Sequence, residues 1–241
     1  MKRTLMISDI HGCLEPFERL LEEIRYDPGQ DRLVLLGDYV DRGPRSREVV
    51  AKVMELVERH GAIALRGNHD QRLVDLIRTN DSYVRSKFME HGGKQTIFSY
   101  CDWDREEMNG DILREAIAYI EGHYGHHIDF LEKLPLFYED ERHICVHAGL
   151  NPAYPNWKDQ PVRDFMYIKK DFFRSKSKFD RTVVFGHTRA EEIHGIPEVW
   201  FHNDKIAIDG GCAYGAQLNC LIYEDGAYTT QAISNSTLSS R

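Results

Sequence analysis

The sequence lacks any apolar run long enough to span a bilayer, and it lacks the features of a secretory signal. The combination of a basic region, a long apolar stretch and a cleavage site of small residues is missing around the first apolar run, Thr4 to Ile7. We therefore expect a protein that is not inserted in a membrane and that resides in the cytoplasm.

Cysteine is scarce, and positive charge is not in excess. The five cysteines are odd in number and lack the spacing of a zinc ribbon, which indicates reduced, mostly buried thiols. A formal net charge of −8 disfavours nucleic acid as the main partner, because such binding depends on clustered Lys and Arg. Phosphorylated substrates remain open, since local cations in a cleft, bound divalent metals above all, can attract phosphate to an acidic protein.

The pattern of apolar residues predicts an α/β layered fold within one domain, residues 1–233, followed by a frayed tail, residues 234–241. Short apolar runs at 5–7, 33–36 and 63–65 alternate with amphipathic stretches at 14–24 and 47–58. Residues 70–140 read as a helical insertion broken by glycines such as Gly122. Strands are expected again at 143–146, 182–185, 206–208, 218–223 and 227–232, with a hairpin at Asp225-Gly226.

Five short polar motifs each follow a predicted strand. They are Asp9-Ile10-His11-Gly12, Gly37-Asp38-Tyr39-Val40-Asp41-Arg42-Gly43, Arg66-Gly67-Asn68-His69-Asp70, Val146-His147-Ala148-Gly149 and Phe185-Gly186-His187. Because the carboxyl ends of parallel strands meet at one edge of a sheet, we expect these side chains to converge there. Carboxylate, imidazole and amide ligands together suit Mn, Fe or Zn. Each motif alone is more typical of a turn, but the five in this order are a strong signal.

In this order the motifs resemble the calcineurin-like metallophosphoesterases. The Asp41-Arg42-Gly43 element resembles the branch that contains bacterial phosphoprotein phosphatases and symmetrical diadenosine tetraphosphatases. The resemblance covers residues 9–187, about three-quarters of the chain. It implies a β-sandwich flanked by helices.

The resemblance also implies a ligand set for two divalent ions, with manganese as our expectation and iron or zinc as alternatives. The first ion would bind Asp9, His11 and Asp38, and the second would bind Asp38, Asn68, His147 and His187. Asp38 would bridge the two ions. Two adjacent ions can activate a shared water as hydroxide, so that no phosphoenzyme forms.

Three further residues are expected to act on the substrate. By the resemblance, His69 faces the leaving group as the general acid, and Asp41 orients its imidazole. Arg42 offers a planar fork of donors to phosphate oxygens. Arg66 is either a further phosphate ligand or a structural ion-pair partner, and we favour the structural interpretation.

The chain departs from the family pattern at two positions. Lys169, in the segment Tyr167 to Phe172, stands where many relatives carry a phosphate-binding arginine, and lysine keeps the charge without the bidentate geometry. Asp70 follows His69 where many relatives have glutamate, which shortens the side chain. A separate group of histidines, His123, His126 and His127, has helical spacing, but we interpret it as packing or surface because no carboxylate accompanies it.

The expected activity is hydrolysis of phosphate monoesters, with phosphorylated Ser or Thr in proteins as the first candidate substrate. Symmetrical cleavage of diadenosine tetraphosphate is the alternative within the same chemistry. A phosphate-binding module without turnover is a third candidate from another class, disfavoured by the complete ligand set and by His69. We expect the insertion and the loops at 154–160 and 210–215 to determine the substrate.

Overall fold

Two five-stranded β-sheets stack face to face in the computed structural model, which describes residues 3–103, 108–176 and 179–235. The strands are β1 Arg3–Ile7, β2 Asp31–Leu35, β3 Ile63–Ala64, β4 Phe137–Glu139, β5 His143–Val146, β6 Thr182–Phe185, β7 Trp200–His202, β8 Lys205–Ala207, β9 Gln217–Glu224 and β10 Ala227–Ser234. One sheet has the order β10-β9-β1-β2-β3 and the other β4-β5-β6-β8-β7.

Helices cover the outer faces of both sheets. They are α1 Leu14–Glu23, α2 Ser46–His60, α3 Asn68–Thr79, α4 Ser82–Glu90, α5 Gly93–Cys101, α6 Gly110–Lys133, α7 Val162–Tyr167, α8 Lys170–Phe173 and α9 Ala190–His194. The predicted β-sandwich flanked by helices, with helical residues around 70–140, is confirmed.

The alternation of side chains along each strand explains the layers. In β1, Met6 points between the sheets and packs in the same cluster as Cys145 of β5, whereas Leu5 and Ile7 face the helices on the outer side. In β5, Ile144 likewise faces outward, into a cluster with residues of α7 and α8. Strands buried on both faces produce the continuous apolar runs seen in the sequence.

The strand directions place the functional loops. β1, β2 and β3 run parallel in the first sheet, as do β5, β6 and β8 in the second. The carboxyl ends of strands in both sheets therefore open toward the same edge of the sandwich. The antiparallel pair β9 and β10 is joined at Asp225 and Gly226, both with positive φ, as the sequence predicted for a hairpin.

Several boundaries differ from the sequence prediction. Gly122 does not interrupt α6, which instead kinks at Tyr124, where φ is −127°. β4 and β7 are three-residue edge strands that carry too little pattern to be predicted. Strand β10 continues through Ser234, and the Asn235 side chain is buried and donates to the Cys212 carbonyl at 2.9 Å. The rest of the expected tail, residues 236–241, lies outside the described residues. Within the described ranges, no helix is both long and apolar enough to cross a bilayer.

Candidate dinuclear metal centre

The six ligands expected from the sequence come together at the shared edge of the two sheets. They are Asp9, His11, Asp38, Asn68, His147 and His187, which follow β1, β2, β3, β5 and β6. Asp38 lies in the middle: its Oδ2 is 3.5 Å from His11 Nε2 and 3.4 Å from His147 Nε2. The cleft above these residues has a volume of about 420 Å³.

Two groups of possible metal ligands share Asp38: one is His11, Asp38 and His69, and the other is Asp38, His147 and His187. On one side, the Asp9 carboxylate lies 3.9 Å from His11 Nε2. On the other side, His147 Nε2 lies 3.0 Å from Asn68 Oδ1, and the ligand atoms of Asp38, His147 and His187 all fall within 4.8 Å of one another. This is the arrangement that a bridging carboxylate between two ions requires.

Buried charges stabilise one another in this cluster. Burial alone would raise the pKa of Asp38, but the neighbouring His147 and His69 hold it well below its usual value. Burial alone would lower the pKa of His147, but the negative charge of Asp38 outweighs this effect and raises the pKa to about 10. Burial raises the pKa of Asp9, which accepts hydrogen bonds from the Ser8 hydroxyl at 2.5 Å and the His187 amide at 2.9 Å. The buried carboxylates of Asp9 and Asp38 need a nearby positive charge. Divalent cations could supply that charge in place of the protonated His147.

Unusual backbone conformations turn these side chains into the cleft. Asp9, Asp38 and His187 all have φ between 55° and 62°, the left-handed region that non-glycine residues seldom adopt. Two glycines let neighbouring loops approach: a Cβ at Gly67 would lie 2.2 Å from Asp38 Oδ1, and one at Gly186 would lie 2.2 Å from Asp9 Oδ2. The motif glycines are therefore needed for contact between loops.

Asp70 fastens the loop after β2 to the loop after β3. Its Oδ2 accepts from the amides of Asp38 at 2.8 Å and Gly67 at 2.9 Å, and its Oδ1 accepts from the Tyr39 amide at 2.9 Å. Burial raises the pKa of Asp70 to about 7. The shorter acid that departs from the family pattern is thus fully engaged in positioning backbone.

His69, Asp41 and Arg42 form a second cluster beside the ligands. His69 Nδ1 lies 2.6 Å from Asp41 Oδ2, and Arg42 Nη2 lies 2.8 Å from His69 Nε2. The Thr96 hydroxyl donates to Asp41 Oδ1 at 2.7 Å and accepts from the Asp41 amide at 2.8 Å. Burial lowers the pKa of His69 well below its usual value and raises that of Asp41 to about 8, so the two groups compete for one proton.

Of the remaining predicted residues, Lys169 lies at the cleft, whereas Arg66 contacts the protein backbone outside it. Lys169 lines the cleft, where its Nζ lies 3.9 Å from Glu192 Oε2, whereas Lys170 begins α8 and does not line the cleft. Arg66 Nη1 donates to the backbone carbonyl of Glu132 at 2.7 Å, which is a contact within the scaffold but not the ion pair that we expected.

Eight residues that line the cleft were not among the predicted site residues: Arg72, His91, Arg163, Tyr167, Arg189, Glu192, Asp209 and Tyr214. Of these, Tyr214 lies in the loop at 210–215 that was expected to determine the substrate. Arg72 follows His69 by three positions on α3, a spacing that places both on one helix face. Asp209 comes just after β8, so the run Ile206 to Ile208 followed by Asp-Gly-Gly was a sixth strand-end signal. Burial and the nearby Asp9 raise the pKa of Asp209 well above its usual value.

The histidines of α6 lie outside this centre. His127 is buried, and its Nδ1 lies 3.1 Å from the hydroxyl of Tyr100. His123 is exposed and stacks on Tyr119 at 4.2 Å between ring centroids. Neither belongs to the groups of possible metal ligands found among the described residues.

Buried carboxylates, imidazoles and an amide gathered at one edge of a two-sheet sandwich define a metal-dependent hydrolase. A family model described as calcineurin-like phosphoesterase matches residues 2–212 of the chain. The chain belongs to the calcineurin-like phosphoesterase family, whose members use divalent metals, and it is a metal-dependent phosphoesterase.

Known proteins similar to this chain include nucleotide and protein phosphatases. It is 26% identical over 245 aligned residues to the asymmetrical bis(5'-nucleosyl)-tetraphosphatase PrpE of Anoxybacillus flavithermus, covering 91% of this chain and 90% of that protein. The PrpE protein of Bacillus cereus strain B4264 is 27% identical over the same shares. The fold is similar to that of a yeast protein serine/threonine phosphatase, with a TM-score of 0.62, 14% identity and coverage of 97% of this chain and 80% of that one.

Proposed function

We propose that the chain hydrolyses phosphoanhydride bonds of dinucleoside polyphosphates at a centre of two divalent metal ions. The observation that carries this proposal is the number of cations around the ligands: Arg42, Arg72, Arg163, Lys169 and Arg189 all line the cleft. A chain of phosphates presents more anionic oxygens than a single phosphoryl group, so it can engage more of these cations. The relatives described as bis(5'-nucleosyl)-tetraphosphatases support the same substrate class.

The proposed ligands are Asp9, His11 and Asp38 for one ion, and Asp38, Asn68, His147 and His187 for the other. Their buried, convergent oxygen and nitrogen atoms fit divalent ions, and the mixture of carboxylate, amide and imidazole favours manganese, with iron or zinc as alternatives. Two bound ions would supply a hydroxide nucleophile at neutral pH and positive charge for the transferred phosphoryl group.

The protein's own groups would bind and orient the substrate. Arg42 presents its guanidinium between His11 and His69, where it can hold the phosphoryl group that reacts. Lys169 can hold a further phosphate as a point charge once its contact with Glu192 opens. Tyr214 positions two of the arginines, since Arg42 lies 5.1 Å and Arg189 lies 4.4 Å from its ring centroid.

His69 is the proposed general acid. Its Nδ1 contacts Asp41, so that its Nε2 faces Arg42 and the cleft, where a leaving oxygen would receive a proton. A general acid must be protonated, and the lowered pKa of His69 in the free protein opposes this. The negative charge of a bound phosphate chain would favour the protonated imidazole. Asp41, held by Thr96, fixes the ring orientation.

Hydrolysis of phosphorylated Ser or Thr in proteins is the second candidate. The rim of the cleft favours it, because Tyr214 and the nearby Val162 are more than half exposed and a protein segment can reach them. A cytoplasmic location is part of either proposal, since the five cysteines are buried and not joined in disulfides.

Product analysis tests the proposal. The purified protein with Mn²⁺ is expected to convert diadenosine tetraphosphate, and ATP plus AMP would match the asymmetrical relatives, whereas two ADP would match the symmetrical cleavage expected from the sequence. A panel of phosphopeptides is assayed in parallel. Turnover of phosphopeptides without turnover of the dinucleotide would replace the first candidate with the second, and no turnover of either would favour a binding module.

A further inference from the structure

A second cavity of about 650 Å³ adjoins the metal cleft and shares one wall with it. The shared wall consists of Arg72, His91, Arg163 and Tyr167. The second cavity lies between α3 and α4 on one side and α7 on the other. One continuous groove therefore leads from the metal ligands to a space large enough for a nucleoside.

The chemistry of this groove changes along its length. The shared wall brings the guanidinium groups of Arg72 and Arg163 next to the metal cleft. Farther out, Tyr83, Val162 and Met166 add aromatic and aliphatic surface, beside the polar side chains of Gln71, Asp75 and Lys87. Tyr83 is 69% exposed and Val162 is 53% exposed, so both leave apolar surface open to a ligand at this end of the groove.

We propose that this second cavity binds one nucleoside of the dinucleoside polyphosphate while the phosphate chain crosses Arg72 and Arg163. This assignment rests on the function proposed above. The exposed ring of Tyr83 offers a stacking surface for a base, and stacking on aromatic rings is tolerant of base identity. Asp75, whose Oδ1 accepts from Gln71 Nε2 at 2.8 Å, also lines the cavity and can accept from a ribose hydroxyl or a base amino group.

Charge distinguishes a nucleotide from a phosphopeptide in this groove. A phosphorylated serine carries one phosphoryl group, which the metal ligands and Arg42 would engage, and it brings no second phosphate group to Arg72 or Arg163. A nucleotide places phosphates against these arginines before its apolar base reaches Tyr83. The two guanidinium groups lie beside the metal cleft, and the apolar side chains lie farther out, where the one lysine, Lys87, is paired with Glu90. This order matches the phosphates and the base of a nucleotide.

Binding of a stable analogue tests the assignment without turnover. Isothermal titration of the Mn²⁺-loaded protein uses two probes: a diadenosine tetraphosphate whose bridging oxygens are replaced by methylene groups, and inorganic tripolyphosphate. Tyr83→Ala is expected to weaken binding of the analogue about tenfold and to leave tripolyphosphate unchanged, because only the analogue carries bases. Tyr83→Phe should bind like wild type. Phe201→Ala is the matched control, since Phe201 is 49% exposed on β7 and does not line the groove.

The outcomes separate this assignment from the proposed function. Unchanged binding of the analogue by Tyr83→Ala, or equal weakening of both probes, would overturn the assignment even if the wild-type protein cleaves diadenosine tetraphosphate. A rise of KM for a phosphopeptide in Tyr83→Ala, with unchanged binding of the analogue, would assign the cavity to a peptide instead. Loss confined to the analogue supports the cavity as a nucleoside site, and the product analysis above judges the reaction independently.

Discussion

His69 is the residue whose chemistry is most open to a direct test. His69→Asn keeps a polar side chain but removes the proton donor, so substrates with poor leaving groups should slow by about 10²–10⁴-fold. Activated aryl phosphates, which need no proton on the leaving oxygen, should be spared. Steady-state kinetics on both substrate types, with metal analysis to show unchanged ion content, decides the role. An equal loss on both types would mean that His69 positions phosphate through Arg42.

Lys169 and Lys170 form an internal comparison, because they are adjacent and only Lys169 lines the cleft. Lys169→Ala should raise KM and lower kcat/KM, since it removes a charge from the phosphate path, whereas Lys169→Arg should preserve both. Lys170→Ala is the control and should behave as wild type. The opposite pattern would show that the family alignment is displaced by one residue.

At the scale of elements, α6 is joined to α5 through the buried pair of His127 and Tyr100. Burial, the neighbouring His126 and Arg47 lower the pKa of His127 to about 4. In the unfolded chain its pKa returns to about 6.5, so unfolded protein binds the proton first and stability is lost as pH falls from about 6.5 toward 4.

Urea unfolding at pH 7 and pH 5 measures this effect. The wild-type protein should lose about 1–2 kcal/mol more between the two pH values than His127→Gln, after allowance for screening by solvent. His126→Gln, an exposed change on the same helix, should follow the wild type. Equal pH dependence of His127→Gln and wild type would show that His127 does not titrate on unfolding.

The loops between elements show which parts of the candidate site can be predicted from the sequence and which cannot. The convergence of the candidate ligands could be predicted because each follows an apolar strand, and the carboxyl ends of parallel strands meet at one edge of a sheet. The support of Asp41 could not be found, because Thr96 lies 55 positions away on α5 and reaches it only through the packing of the insertion. The support of Arg42 could not be predicted either, because its amide donates at 3.0 Å to the carbonyl of Gly92 in the turn between α4 and α5.

The division of the strands between two sheets could not be predicted from the sequence either. The runs that became β2 and β6 are equally apolar and both lie in the interior of a sheet, so composition does not reveal which partners they choose. That choice depends on long-range packing, such as the contact of Met6 with Cys145 between the sheets. The layered α/β character needed only the local pattern, and it was predicted correctly.

Bound ions would connect loops from both sheets, so their removal should affect the entire fold. At an ion concentration about 100 times the dissociation constant, each site adds about 2.7 kcal/mol to the free energy of unfolding. For a chain of this size, removal of both ions should lower Tm by roughly 10–20 °C. Thermal unfolding with and without EDTA measures this shift, and added Mn²⁺ should restore both Tm and activity.

Asp38→Asn is the matched variant for this experiment, because an amide brings no negative charge to either ion. Its Tm should change little on adding EDTA, and its ion content should be low. Full activity of the wild-type protein in excess EDTA, after confirmed metal removal, would contradict a metal-dependent reaction.

The left-handed backbone of the ligand loops has a consequence for mutational tolerance. Of the eleven non-glycine residues with positive φ in the described chain, six belong to the centre, namely Asp9, His11, Asp38, Asp41, Arg42 and His187. Such a conformation costs about 1–2 kcal/mol per residue, and glycine and asparagine bear it best. In a saturation scan that measures cellular abundance and activity separately, Gly and Asn at these positions should retain the most abundance while activity is lost. Val, Ile and Thr should lose both. A selection for stability of the ion-free protein would therefore accumulate glycine at these six positions and remove the active site.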